Sequence, residues 1–407
     1  VEPINNTVFG FNANYATEVP FLTRLVNKLP NIDTDVESNV SIRGEFAYLM
    51  PGAPKIADFD GKSTVYVDDF ESSQTQLDIS SPNTWFLSST PADAVFGGDV
   101  ANNNLEYNYF RGKLNWYTID PIFYSTQRPD GINDEDLSSP FTRRVFRDEI
   151  FPDQDIIQGQ TQALFPLDLA YRPGERGEYN YNPTATGDGN PNTLDNPERS
   201  FGGISRQLTT TDFERSNVEY LQFWIMDPFI YDENSSNTGG TLSFNFGNIS
   251  EDVLKDGRKQ YENGLPQDGG TVNTTSSVFG KVPTNQALIY SFDTAGDERT
   301  NQDIGYDGLS DAEEKAKTDY PQAFRDLADP ARDNYQYFLQ AEGGILDRYR
   351  SYNGTQGNSP VEVTNTNRGS TTLPDVEDIN RDNTMNTVNS YFEYNIPIVP
   401  GMDQGTS

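Results

Sequence analysis

The chain has 407 residues, which at about 100–200 residues per domain predicts two or three structural units. Its 62 Asp and Glu outweigh 29 Lys and Arg, for a formal charge of −33, so it lacks the basic stripe that nucleic acid or an anionic membrane surface requires. With no cysteine and no histidine, disulfide frameworks, thiolate and imidazole metal sites, cysteine nucleophiles and Ser-His-Asp triads are excluded.

The aromatic content, 22 Tyr, 25 Phe and 3 Trp, is too high for a disordered chain. With many Asn, Thr, Gly and Pro, it predicts a mainly β, extracytoplasmic protein. The opening Val1-Glu2-Pro3 has neither an initiator Met nor a charged, apolar leader, and predicts a processed product or a segment of a longer protein. No run reaches the roughly 18 apolar residues of a spanning helix. Strands of a membrane barrel, which are short and only alternately apolar, stay open.

In chain order, Phe9, Phe11, Ala13 and Tyr15 alternate with polar or small residues, and so do Val40, Ile42, Phe46 and Tyr48, with Gly44 on their apolar face. These predict strands at 7–16 and 39–50, either half-buried in a soluble sandwich or facing lipid. Val19–Leu29 between them predicts a short amphipathic helix ended by Pro30. Pro51-Gly52-Ala53-Pro54 marks a boundary. Beyond it, strands are predicted at Thr64–Asp68, Thr84–Ser88, Leu114–Ile119, Val218–Met226, Thr241–Gly247 and Ala287–Phe292, as in a β-sandwich with large insertions. Val218–Met226 is the strongest core candidate. Residues 172–200 and 267–285 are loop-like, and a short helix is expected after Ser250. Further helices are expected at 310–317 and 323–327. A last strand alternates Phe392, Tyr394, Ile396 and Ile398 with Tyr391, Glu393, Asn395 and Pro397, without an obvious partner in the chain.

The sharpest chemical signal is Asp303–Glu314. Counted from Asp303, Asp307 is fifth, Gly308 sixth, Asp311 ninth and Glu314 twelfth, with Leu309 offering its carbonyl. This spacing wraps oxygens round one calcium ion, although Gly305 stands where a third-position ligand belongs. The competing reading is an acidic loop that caps a helix through Ser310 or Asp311. Asp378, Asn380 and Asp382 are a weaker echo, better read as a turn with Asx-type hydrogen bonds. Asp68-Asp69-Phe70-Glu71 with Trp85, Trp116 and Trp224 is compatible with a secreted carbohydrate-binding module, but all three tryptophans read more simply as core. No phosphate loop, nucleophile elbow or catalytic pair stands out.

Leu242–Pro266, Asp303–Glu314, Arg348–Pro360, Pro374–Asn386 with Tyr391-Phe392-Glu393-Tyr394, and Tyr15–Thr23 together resemble the SprA/Sov family, the outer-membrane translocon of the type 9 secretion system, which is also tied to gliding motility. The resemblance implies one internal segment of a very large transmembrane β-barrel. Residues 1–50 would be barrel strands with a short helical connection, 51–300 an extracellular jelly-roll-like insert, 301–386 an acidic loop and short-helix region, and 387–407 a returning barrel strand. It implies a conduit without catalytic residues, in the cell outer membrane. The implied partners are a PorV-like shuttle barrel protein, a periplasmic plug protein, secreted cargo and outer-membrane lipid.

Overall fold

A computed structural model describes residues 6–50, 58–59, 62–63, 77–153, 162–184, 189–229 (except 211, 215 and 217), 238–259, 273–284, 305–354 and 376–401. The expected strands Thr64–Asp68 and Ala287–Phe292, Asp303, and Asp68–Glu71 lie outside the described residues. The chain divides into two units, residues 1–75 with 213–218, and residues 76–212 with 219–407. Among the described residues every sheet is a two-stranded antiparallel pair, and the helices are short, so the protein is mainly β.

In the first unit, β1 (Thr7–Glu18) pairs with β2 (Asn39–Met50), and the short β3 (Asp58–Phe59) with β4 (Lys62–Ser63). Pairing Phe9 with Tyr48, Phe11 with Phe46, Ala13 with Gly44 and Tyr15 with Ile42 puts these residues on one face, while Val8 and Leu49 pair on the other. The connection carries the expected helix, Pro20–Val26, which stops three residues short of Leu29. There the Asn27 side chain bonds the backbone of Thr34, and the Thr23 hydroxyl bonds Ser38.

The second unit holds the core. β6 (Gly112–Tyr117) is buried on both faces, with Trp116 in one aromatic cluster and Tyr117 in another. It pairs with β7 (Asp168–Arg176), so the expected loop at 172–200 begins later than the composition suggests. Lys113 opposes Arg172 and Gly112 opposes Arg176, which lets Pro173-Gly174-Glu175 bulge out and keeps the strand going. Short pairs β5 (Phe86–Leu87) with β8 (Ile204–Ser205), and β10 (Thr274–Ser276) with β11 (Lys281–Pro283), sit around this centre. The second of these lies inside the expected 267–285 loop.

Three other expectations are corrected. Val218–Met226 forms no strand among the described residues, and Trp224 is 64% exposed. Its apolar side chains meet single rings instead, Phe223 against Phe244 and Trp224 against Phe151. No helix follows Ser250, because the Asp252 carboxylate accepts the N–H groups of Asp256 and Gly257 and folds a tight turn. Lastly, β12 (Ser390–Ile398) does have a partner in the chain, β9 (Gly240–Asn248).

Candidate functional site

The acidic loop is built on two glycines in the left-handed region, Gly305 (φ +77°) and Gly308 (φ +68°). Between them the Tyr306 N–H donates to the Tyr179 hydroxyl, and the Asp307 carbonyl accepts the Lys281 N–H of β11. The chain then enters the helix Asp311–Ala316, where the Glu313 carboxylate accepts the N–H of Ser310 and pairs with Lys281. This is the expected cap. It turns Glu314 inward, to 1% exposure. The second helix, Gln322–Arg325, buries Phe324 and leads into Asp329-Pro330-Ala331-Arg332-Asp333.

These segments bring carboxylates together. Oxygens of Asp307, Glu314 and Asp333 lie within 4.8 Å of one another, and so do those of Asp311, Glu314 and Asp329. Of the residues the spacing singles out, Asp307, Asp311 and Glu314 therefore converge, with Glu314 common to both groups. Leu309 is buried beside them and its N–H donates to Asp307 Oδ1. Asp329 and Asp333 escape a sequence reading because they stand outside any twelve-residue window. Their only local signal is an Asp-Pro-x-x-Asp turn.

Each acid is held. Asp307 Oδ2 lies 3.2 Å from the Tyr320 hydroxyl, whose single proton it shares with the nearer Phe279 carbonyl, and Glu314 Oε2 accepts the Ala331 N–H at 2.9 Å. Asp329 accepts the N–H groups of Arg332 and Asn334, and Asp311 accepts the Asn334 side-chain amide. Asp333 Oδ2 is buried with no donor. Burial pushes the Asp307 carboxyl up to about 8, with Asp329 adding to it against the Leu309 N–H and the Tyr320 hydroxyl. Burial, then the Asp307 charge, pushes Glu314 up to about 9. Asp333 is raised well above the carboxylate range by burial and by Glu314 and Asp307, and Asp329 is raised chiefly by burial. Carboxylates crowded out of water in this way hold protons or a cation.

A second acidic device sits where β9 and β12 enter the body. Glu251-Asp252-Val253-Leu254-Lys255-Asp256-Gly257 and Glu377-Asp378-Ile379-Asn380-Arg381-Asp382-Asn383 adopt the same turn. Asp252 takes the N–H groups of Asp256 and Gly257, and Asp378 those of Asp382 and Asn383. The turns also clasp each other. Glu251 Oε1 accepts the N–H groups of Ile379 and Asn380, while Glu377 Oε1 accepts those of Val253 and Leu254. Asp378 further pairs with Lys259 at 2.6 Å. The echo at Asp378, Asn380 and Asp382 is thus a hydrogen-bonded turn, and the two-copy pattern Glu-Asp-aliphatic-x-basic-Asp-Gly/Asn is the signal a search for longer repeats overlooks.

Of the tryptophans, Trp116 is fully buried, and Trp85 packs against the first cluster while donating to the Ile79 carbonyl. Trp116 is core, as expected, Trp85 is half-buried against that cluster, and Trp224 is at the surface.

Residues 313–406 match the SprA_N family model, described as motility related/secretion protein. The match takes in the helix Asp311–Ala316 from Glu313, the Asp329–Asp333 turn, the second clasp loop and β12. No curated protein matches the chain.

Proposed function

We propose that this chain, whose residues 313–406 match the family model of motility related/secretion proteins, is a non-enzymatic segment of an outer-membrane secretion conduit of the type 9 system. It contributes wall strands and an outward-facing acidic insert. The observation that carries this reading is the register of the two long strand pairs. In β1 and β2, twelve paired residues gather Phe9, Phe11, Ala13, Tyr15, Ile42, Phe46 and Tyr48 on one face, and that face is open, with Phe11 65% exposed. In β9 and β12, Leu242, Phe244 and Phe246 pair with Ile396, Tyr394 and Phe392 in turn, and Phe392 is 75% exposed.

Leaving such rows in water forgoes about 1.5–3 kcal/mol for each large apolar side chain. An isolated two-stranded hairpin is also marginal. Lipid removes the first problem and neighbouring wall strands the second. Twelve residues at about 3.3 Å each, tilted by about 45°, span roughly 28 Å, the thickness of a hydrocarbon core. Apart from Val8 opposite Leu49 near one end of the first pair, the opposite faces are mainly polar, with Asn12, Asn14, Arg43 and Glu45 in one pair and Ser243, Asn245, Glu393 and Asn395 in the other, as a water-filled lumen requires. Four strands do not close a barrel, so further wall strands belong to the same assembly. A shuttle barrel, a periplasmic plug and folded cargo are the partners this role calls for. The formal charge of −33 keeps acidic cargo from adhering through like-charge repulsion.

The chain has no cysteine, so single substitutions report without background. Phe9, Phe11, Ala13 and Tyr15, and Gly10, Asn12 and Asn14, are each replaced by Cys in the outer membrane and treated with a membrane-impermeant maleimide. Labelling is expected at the second set and not at the first. Uniform labelling along β1 would overturn the proposal.

A further inference from the structure

A twelve-residue calcium loop starting at Asp303 needs an oxygen at its third position, where this chain has Gly305. The fold supplies that oxygen from elsewhere. A Cβ on Gly305 would lie 1.9 Å from Asp333 Oδ2, so the Asp333 carboxylate occupies the space that a side chain at 305 would fill. We propose that Asp307, Glu314 and Asp333 bind a Ca²⁺ ion, with Asp333 taking over the ligand position that Gly305 leaves, and with Glu314 joining this centre to Asp311 and Asp329.

Four observations converge on a cation. First, the three carboxylates approach within 4.8 Å, and oxygens at 2.3–2.6 Å from one calcium lie up to about 5 Å apart. Second, all three are buried, and among the described residues no Lys or Arg forms an ion pair with any of them. Third, Asp333 is 8% exposed, yet its Oδ2 has no hydrogen-bond donor, an omission that a positive charge removes. Fourth, the hydrogen bonds that the other acids accept fix their orientation and leave lone pairs free: Leu309 N–H and Tyr320 hydroxyl on Asp307, Ala331 N–H on Glu314. The hard, all-oxygen donor set excludes soft metals. Magnesium keeps several waters, for which so buried a triad has little room, so calcium is the fitting ion.

The ion would fasten the Asp329–Asp333 turn to the Gly305–Glu314 loop. Tyr306 and Leu309 of the loop and Ala331 of the turn belong to the first aromatic cluster, as do Tyr320 and Phe324 from the chain between them. Calcium thereby holds together a core that its own carboxylates push apart.

The test uses the full chain, purified and stripped with a chelator. Melting is followed with Ca²⁺ at millimolar concentration, with Mg²⁺ and with chelator, and Tb³⁺ emission sensitised by the adjacent tyrosines is titrated with Ca²⁺. Calcium is expected to raise the melting temperature by several degrees more than Mg²⁺ and to quench the Tb³⁺ signal by displacement. Asp333→Asn should weaken calcium at least tenfold and abolish the calcium-dependent shift, while Asp252→Asn, at a buried carboxylate elsewhere, leaves it intact. The terbium titration on the unaltered chain decides the matter if Asp333→Asn fails to fold. Equal melting with calcium and chelator together with no sensitised emission, or a calcium shift that survives in Asp333→Asn, would overturn the proposal.

Discussion

At the scale of single residues, buried carboxylates organise this protein, and they fall into two kinds. Glu251 and Glu377 are fully used, each accepting two backbone N–H groups from the other's loop. Removing either strands those donors, at about 1–3 kcal/mol per group, so Glu251→Ala and Glu377→Ala should each cost about 3 kcal/mol in denaturant unfolding. Because each loop supports the other, the double variant should lose clearly less than the two single losses combined. Asp168 is the opposite kind. Its Oδ2 is buried without a donor, and burial pushes its carboxyl up to about 7 against the pull of the Ile119 N–H. An acid whose folded value exceeds its unfolded value of about 3.9 does no harm below that pH, and costs stability progressively as pH rises to the folded value. The loss levels off above pH 7 at no more than about 4 kcal/mol. Asp168→Asn should therefore melt with the parent at pH 4 and above it at pH 8, as calorimetry at the two values would register.

At the scale of elements, the long strands behave as two-faced ribbons, and this is the part of the fold the sequence announces most clearly. Strict alternation over 7–16 and 39–50 predicts both strands, and the observed register only adds that the two apolar rows coincide. The same rule misleads at Val218–Met226. A run of aromatic and aliphatic residues broken only by Glu219 and Gln222 reads there as a core strand, but it pairs with no other strand among the described residues. The acidic loop is legible for a related reason. Asp307, Asp311 and Glu314 are close in sequence and so reveal themselves by spacing, while Asp329 and Asp333 arrive through tertiary packing that spacing cannot encode. The ribbon reading has its own consequence. In the proposed barrel wall, Arg in place of Phe11, near mid-strand on the apolar face, should destabilise the assembly by about 2–4 kcal/mol, whereas Arg in place of neighbouring Asn12 on the polar face should change little. Loss of heat-resistant mobility in gels of outer membranes would report the difference.

At the scale of the whole molecule, charge and core pull in opposite directions. A formal charge of −33 repels itself throughout the folded chain, and the ion pairs found among the described residues are few. Of these, Lys113–Glu178 and Lys259–Asp378 are buried and thus little screened by salt. The attraction that offsets the repulsion comes from rings. Tyr117 stacks on Tyr349 at 4.2 Å, and Tyr181 on Tyr320 at 4.0 Å, inside the two aromatic clusters. Salt therefore weakens the destabilising term more than the stabilising one. Raising NaCl from 10 to about 200 mM brings the Debye length from about 30 Å to below 10 Å, which screens distant like charges and spares contacts at 3 Å. Melting in chelator, so that divalent ions play no part, should accordingly move upward with NaCl. A fall over the same range would mean that surface ion pairs, and not the aromatic core, hold the molecule against its own charge.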